Sequence, residues 1–210
     1  MSHPLLRVEN VSKQYQHGLI HKTTTFSLNA DFEVAEPAIV GVMGPNGSGK
    51  TTLFELITGS NLPSAGRVLV NGQDIHQVRT GERDRLAVHY HQSYQVRSFQ
   101  KKKPDFLLRR AAGDSPLVHL FDEPQFNTQD GYIGFMLDFF KKLKANGRLV
   151  FLCLHPNEPY HVDILRQHCE RFIFVQKGVV SQAPDFDTLC RDERVRSYLG
   201  ALAPSELALP

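Results

Sequence analysis

The sequence is short of several things, and each shortage removes a class of protein. Cysteine occurs three times, at Cys153, Cys169 and Cys190, far apart and with no C-x-x-C pair, so neither a disulfide framework nor a cysteine zinc site is expected and the thiols are read as reduced. Charge of one sign is not in excess: 24 Lys and Arg face 22 Asp and Glu, a net +2. That balance argues against a strongly basic nucleic-acid binder. No apolar run approaches the roughly 20 residues that span a bilayer. The first residues, Met1 to Arg7, contain no apolar signal core, so a cytoplasmic protein that is not itself a membrane pore is expected. Internal repeats and low-complexity linkers are also missing. The 210 residues, 41% hydrophobic and 22% charged, suit one large globular domain with at most an appendage. We place that domain at 1–200 and a frayed tail at 201–210.

What is present reads as alternating strands and helices. Leu6, Val8 and Val11, then Phe26 and Leu28, form apolar-rich runs on either side of Gln16-His17-Gly18, a hairpin pattern. Residues 38–43 are a continuous apolar run, as in a strand covered on both faces. Leu53, Leu56 and Ile57 then recur on one helical face, with Gly59 as a C-terminal cap. Residues 117–121 and 149–154 repeat the buried-strand pattern. Between them Ile133, Met136, Leu137, Phe140 and Leu143 keep helical spacing until Asn146-Gly147. Strand, helix, strand with so long a crossover predicts a parallel pair. Residues 171–175 predict another strand, continuing past Lys177-Gly178 into a hairpin. The expected fold class is α/β, with a mainly parallel sheet and antiparallel β elements near the N-terminus.

The chemistry concentrates at three points. Gly44, Pro45, Asn46, Gly47, Ser48, Gly49, Lys50 and Thr51 fit G-x-x-x-x-G-K-[ST] between a buried strand and a helix. Such a loop turns backbone N–H groups onto phosphate oxygens, which side chains at the glycines would obstruct, and the helix N-terminus adds positive potential. Lys50 would reach the β- and γ-phosphates of ATP and Thr51 would give its hydroxyl oxygen to Mg²⁺. Asp122 and Glu123 follow the run at 117–121, where a parallel sheet presents ligands. The first would hold Mg²⁺ and the second would polarise the attacking water. His155 ends the next strand and is placed to bond a γ-phosphate or orient that water.

Four segments in this order, GPNGSGKTT (44–52), LVHLFDEP (117–124), LVFLCLHP (149–156) and CERFIFVQKGVV (169–180), resemble the ATPase cassette of the ATP-binding cassette (ABC) superfamily. The resemblance implies a P-loop nucleotide hydrolase with Gly44 to Thr52 on the phosphates, Thr52 included, and with Tyr15 stacked on adenine. It makes Gln92 the glutamine that links magnesium to the membrane partner, with Gln95 as a competitor. It sets Lys50, Glu123 and His155 as the catalytic residues and Thr51, Gln92 and Asp122 as the metal ligands.

The chain also departs from that family. Only 29 residues separate Gln92 from Asp122, whereas three or four helices with their loops need roughly 50. The helical subdomain is therefore expected to be largely absent. The signature turn is degenerate: its nearest counterpart is Ser98-Phe99-Gln100-Lys101, without glycines. After Glu123-Pro124 the small-residue dimer loop is replaced by Gln125 to Asp130. Lys101 to Lys103, with Arg109 and Arg110, read either as a solvated face or as a contact for an acidic partner or a phosphate-bearing polymer or lipid. His89 and His91 alternate on an expected strand and so point the same way, but zinc is not indicated. The resemblance implies an ATP-binding subunit, peripheral on the cytoplasmic face of the inner membrane, that drives or gates a membrane-spanning permease. The other partner is a second cassette with an intact signature, and a symmetric ATP-sandwiched homodimer is not expected. The alternative is an ATP-responsive regulatory or assembly module with little turnover of its own.

Overall fold

Two strand chemistries laid side by side generate the architecture. The computed structural model describes residues 3–17, 23–91, 113, 116–124 and 132–204. In the N-terminal third, β1 (Leu6–His17) and β2 (Thr23–Val34) pair antiparallel, as the hairpin pattern predicts. Leu28, Ala30, Phe32 and Val34 of β2 are buried at alternate positions, so one face meets the core. After the central strand β3 (Ile39–Met43), β4 (Ala65–Val70) adds to the free edge of β1, and β5 (Gln73–Asp74) adds to β4.

The other half is parallel. Strand β3 is buried at every residue and lies between two parallel neighbours, β8 (Leu149–Cys153) and β9 (Arg171–Gln176). Strands β7 (Val118–Asp122) and β6 (Ala87–Tyr90) continue outward from β8. A hairpin through Lys177 and Gly178 joins β9 to β10 (Val179–Ala183). The ten strands form one sheet, β5-β4-β1-β2-β10-β9-β3-β8-β7-β6. Its two halves meet where β10 pairs with β2 through a single residue pair, Val179 with Asn29.

Alternation along the parallel strands explains the unbroken apolar runs. Val40 and Val42 of β3 and Phe151 of β8 face one core, and Ile39, Met43, Val150 and Leu152 face the other. Helix α1 (Lys50–Ile57) buries Leu53, Phe54, Leu56 and Ile57 in the first core together with β1, β2 and β4, so the curled sheet wraps it. On the opposite face lie α3 (Tyr132–Ala145), which follows α2 (Thr80–Leu86), then α4 (Pro159–His168), α5 (Phe186–Cys190) and α6 (Glu193–Leu199). Gly59, at φ 70°, ends α1 in the left-handed region as its position predicts. His119, fully buried in β7, is satisfied by the Tyr90 hydroxyl and the Pro116 carbonyl, each at 3.1 Å.

Some elements have too few apolar positions to announce themselves in the sequence. Helix α4 buries only Val162, Ile164 and Leu165, and α6 only Val195 and Leu199. Their signals are local: Pro159 in the first turn of α4, and the carboxylates of Asp185 and Asp192 capping α5 and α6. A short 3₁₀ turn, Gly200–Leu202, follows α6 directly, so regular structure runs past the expected domain boundary at 200. The expected signature remnant at 98–101, the basic residues at 101–110 and the altered loop at 125–130 lie outside the described residues. Among the described residues, no helix is long and apolar enough to cross a membrane.

Candidate nucleotide-binding site

The site forms where β3 hands over to α1. Gly44, Gly47 and Gly49 all have positive φ, at 149°, 72° and 111°, so the loop needs glycine for its backbone alone. The physical reasons differ from position to position. A Cβ at Gly44 would lie 2.0 Å from the Val175 carbonyl oxygen, and one at Gly49 would lie 2.7 Å from Leu28 and 2.9 Å from Phe26. These two glycines therefore permit close packing of the loop on β9 and β2. Only at Gly47 would a Cβ meet open space, on the side where the loop borders a cavity of about 390 Å³.

That cavity is lined by Phe26, Asn46 to Thr52, His91, Asp122 and Glu123. Lys50 is 6% exposed and donates from Nζ to the carbonyls of Gly44 at 2.7 Å and Pro45 at 2.9 Å. Gly44 and Pro45 thus act as acceptors that hold the ammonium across the loop. Ser48 Oγ is buried and has no hydrogen-bond partner among the described residues. An orphaned hydroxyl in such a loop has the chemistry to donate to a phosphate oxygen.

Thr51 Oγ1 donates to Asp122 Oδ2 at 3.1 Å. The hydroxyl from α1 and the carboxylate from β7 are therefore already together, a pair of hard oxygen donors that fits Mg²⁺. His89 Nε2 lies 3.4 Å from the same carboxylate oxygen, and the His89 and His91 rings are 5.7 Å apart, pointing the same way as expected. Burial pushes the Asp122 carboxyl upward. The His89 ring close beside it, then the Thr51 hydroxyl and the Cys153 thiol, outweigh burial and hold Asp122 below the ordinary carboxylate range. Cys153 is fully buried, and its thiol is pushed well above the ordinary value by burial first and by Asp122 second.

Glu123 follows with φ 47°, in the left-handed region, and its N–H donates to the Cys153 carbonyl at 3.1 Å. For a residue with a side chain this conformation is strained, by about 1 kcal/mol or more. It turns Glu123 onto the cavity wall beside Asp122.

Two other sequence candidates are placed differently. Tyr15 is 37% exposed, accepts a hydrogen bond from Asn61 at 2.7 Å and does not line the cavity. Its cross-strand partner Phe26, 6.2 Å away between ring centroids, does line it. His155 lies outside the cavity lining as well, with Nδ1 2.8 Å from the Tyr198 hydroxyl. Gln92 and Gln95 fall outside the described residues. Phe26 belongs to no motif, and its only sequence signal is its place opposite Tyr15 in the hairpin. His91, whose sequence signal is its alternation with His89, also lines the cavity.

Behind the loop, the turn after β9 holds it in place. Gly178 N–H donates to the Ser48 carbonyl at 2.9 Å, and the Gly178 carbonyl accepts from Asn29 N–H at 2.7 Å. A Cβ at Gly178, where φ is 75°, would lie 1.7 Å from the Ser27 carbonyl oxygen.

Comparisons with known proteins find similar sequences and folds. The family model described as ABC transporter matches residues 28–105. An uncharacterised ABC transporter ATP-binding protein of Methanocaldococcus jannaschii is 40% identical over 72 residues, which are 34% of this chain and 13% of that protein. The chain thus aligns with only about an eighth of that relative's length. Among solved structures, an ATP-binding cassette of an ABC transporter in its ADP conformation superposes with a TM-score of 0.65 at 19% identity, covering 95% of this chain and 99% of that one. A dimeric cassette in a post-hydrolysis state bound to ADP and Pi gives 0.62 at 17% identity, covering 85% and 98%. At these identities the structural likeness speaks for the fold.

Proposed function

We propose that this chain, a member of the ABC superfamily and an ATP-binding component of that type, binds Mg-ATP in the cavity beside the 44–52 loop and hydrolyses it to drive or gate a membrane-spanning partner. The observation that carries the reading is the joint at Thr51 and Asp122, flanked by a buried, unpartnered Ser48 hydroxyl and by Lys50. Phosphates need donors and a cation on one side, and a divalent metal needs hard oxygens on the other. Both sets border the same space.

In this reading Lys50 exchanges its two carbonyl acceptors for phosphate oxygens, while Ser48 and the loop N–H groups donate to the same chain of phosphates. Thr51 and Asp122 are the residues that would hold Mg²⁺, together with Gln92 by resemblance. When bound, the ion offsets charge developing on the phosphate oxygens. Glu123, turned to the cavity by its left-handed backbone, is the group that polarises the attacking water. His155 orients the reacting end from the strand beside it. Tyr15 keeps the adenine role that the resemblance implies, with Phe26 supplying the apolar surface that borders the cavity. The partner is a permease subunit or a second cassette that supplies the signature, and the chain is placed on the cytoplasmic face of the membrane. The alternative of an ATP-responsive switch with little turnover rests on the degenerate signature at 98–101.

Calorimetry with Mg-ATP on wild type and Lys50→Ala tests the site. Tight binding lost in the variant is expected. Equal affinity in both proteins would move the nucleotide away from this loop.

A further inference from the structure

The hydrogen bond between Tyr198 and His155 joins a C-terminal helix to the end of a site strand, and nothing in the phosphate-loop motif calls for it. Tyr198 lies on α6, whose neighbouring residues Val195 and Leu199 are buried and fix the helix on the sheet. Its ring packs 5.8 Å from Phe174 of β9 and 5.8 Å from His155 at the end of β8, between ring centroids. Its hydroxyl is 2.8 Å from His155 Nδ1. One side chain therefore touches β9 and the end of β8, the two strands that flank β3 behind the phosphate loop.

The direction of this bond follows from donor accounting. Burial first, then the neighbouring Cys153, raises the Tyr198 hydroxyl above its ordinary value, so it keeps its proton at neutral pH. The hydroxyl proton then needs an acceptor. His155 Nδ1 is the nitrogen in reach. A neutral imidazole that accepts at Nδ1 carries its proton at Nε2.

We propose that Tyr198 is a positioning residue for His155: it fixes the ring with Nδ1 unprotonated and Nε2–H as the donor offered to a phosphate oxygen. The inference rests on the ATP site proposed above for its use in catalysis, and on the Tyr198–His155 contact alone for its geometry. It makes α6 a lever on the site, because a shift of that helix changes the tautomer and orientation of the histidine without touching the phosphate loop.

The test is Tyr198→Phe, which keeps the ring packing and removes only the hydroxyl. Nitrogen-15 spectra of the imidazoles, with His155→Gln to assign the signal, report which nitrogen carries the proton. The expected result is an Nε2–H signature for His155 in wild type and a shift toward mixed tautomers in Tyr198→Phe. Turnover should fall about tenfold in that variant, part of the roughly hundredfold that a positioned proton-bearing side chain contributes, with KM for ATP nearly unchanged. In a His155→Gln background the same change should have no further effect. An unchanged His155 signature in Tyr198→Phe overturns the proposal, and so does an equal loss of turnover in the His155→Gln background. If wild type binds no ATP, the nucleotide reading fails, while the nitrogen spectra still decide the link between Tyr198 and His155.

Discussion

Lys50 shows at the scale of one residue how a functional group also belongs to the fold. Its ammonium is buried against the Gly44 and Pro45 carbonyls, so removing it leaves two acceptors unmet as well as a phosphate uncompensated. Lys50→Ala should therefore lose tight ATP binding and also about 1–2 kcal/mol of stability, read by calorimetry and by denaturant melts. Full affinity would exclude the loop as the site. Glu123 separates function from stability in the opposite sense. Glu123→Gln should retain Mg-ATP binding and lower hydrolysis, because the amide keeps the shape but cannot polarise water. Glu123→Gly should also lose turnover, yet relief of the left-handed backbone should leave it at least as stable as Glu123→Gln. Equal phosphate release by Glu123→Gln and wild type would move the catalytic role elsewhere. The sequence made the phosphate loop and the acidic pair legible because their residue types are tied to fixed spacing. Phe26 and Tyr198 were illegible for the opposite reason: their roles come from cross-strand register and helix packing, which no local spacing encodes.

At the scale of elements, continuous apolar runs were readable wherever a strand is covered on both faces, as β3, β7 and β8 are. Short helices were not, because α5 and α6 are set by a cap and two or three buried side chains. Those caps are correspondingly influential. Asp192 accepts the Arg194 N–H at 2.9 Å at the start of α6, and Asp192→Ala should cost about 1 kcal/mol in a denaturant melt. Its carboxylate is held below the ordinary value, first by the Arg194 side chain and despite some burial. Because the folded-state pKa is depressed, this contribution is present above the unfolded pKa of about 4 and is lost as pH falls through the lower folded value. Melts of wild type and Asp192→Ala should converge at that acid end. A constant difference across the whole range would show that the cap acts through packing instead.

At the scale of the whole molecule, the prediction concerns assembly. By resemblance, residues 98–101 stand at the signature turn, with Phe99 where a close backbone approach needs glycine. The purified chain should therefore bind ATP, hydrolyse it slowly and stay monomeric by light scattering with Mg-ATP, for wild type and Glu123→Gln alike. A stable ATP-dependent homodimer with brisk cooperative turnover would show that 92–112 builds a working trans contact after all. Gly178→Ala belongs at this scale too. The added methyl meets the Ser27 carbonyl and a left-handed backbone, so it should destabilise the protein by more than about 1 kcal/mol and weaken ATP binding although Gly178 does not line the cavity. Unchanged affinity would show that the turn does not support the loop. One consequence of this turn concerns how the protein comes apart. A sheet stitched by one strand pairing between its halves has a seam, and Gly178 is the rivet through it, bonded on one side to Ser48 and on the other to Asn29. Amide protons of β1, β2 and β4 should then exchange with solvent as a group of their own, sooner than those of β3 and β8, and bound nucleotide should slow that group through Gly178 and through Phe26, which borders the cavity from β2.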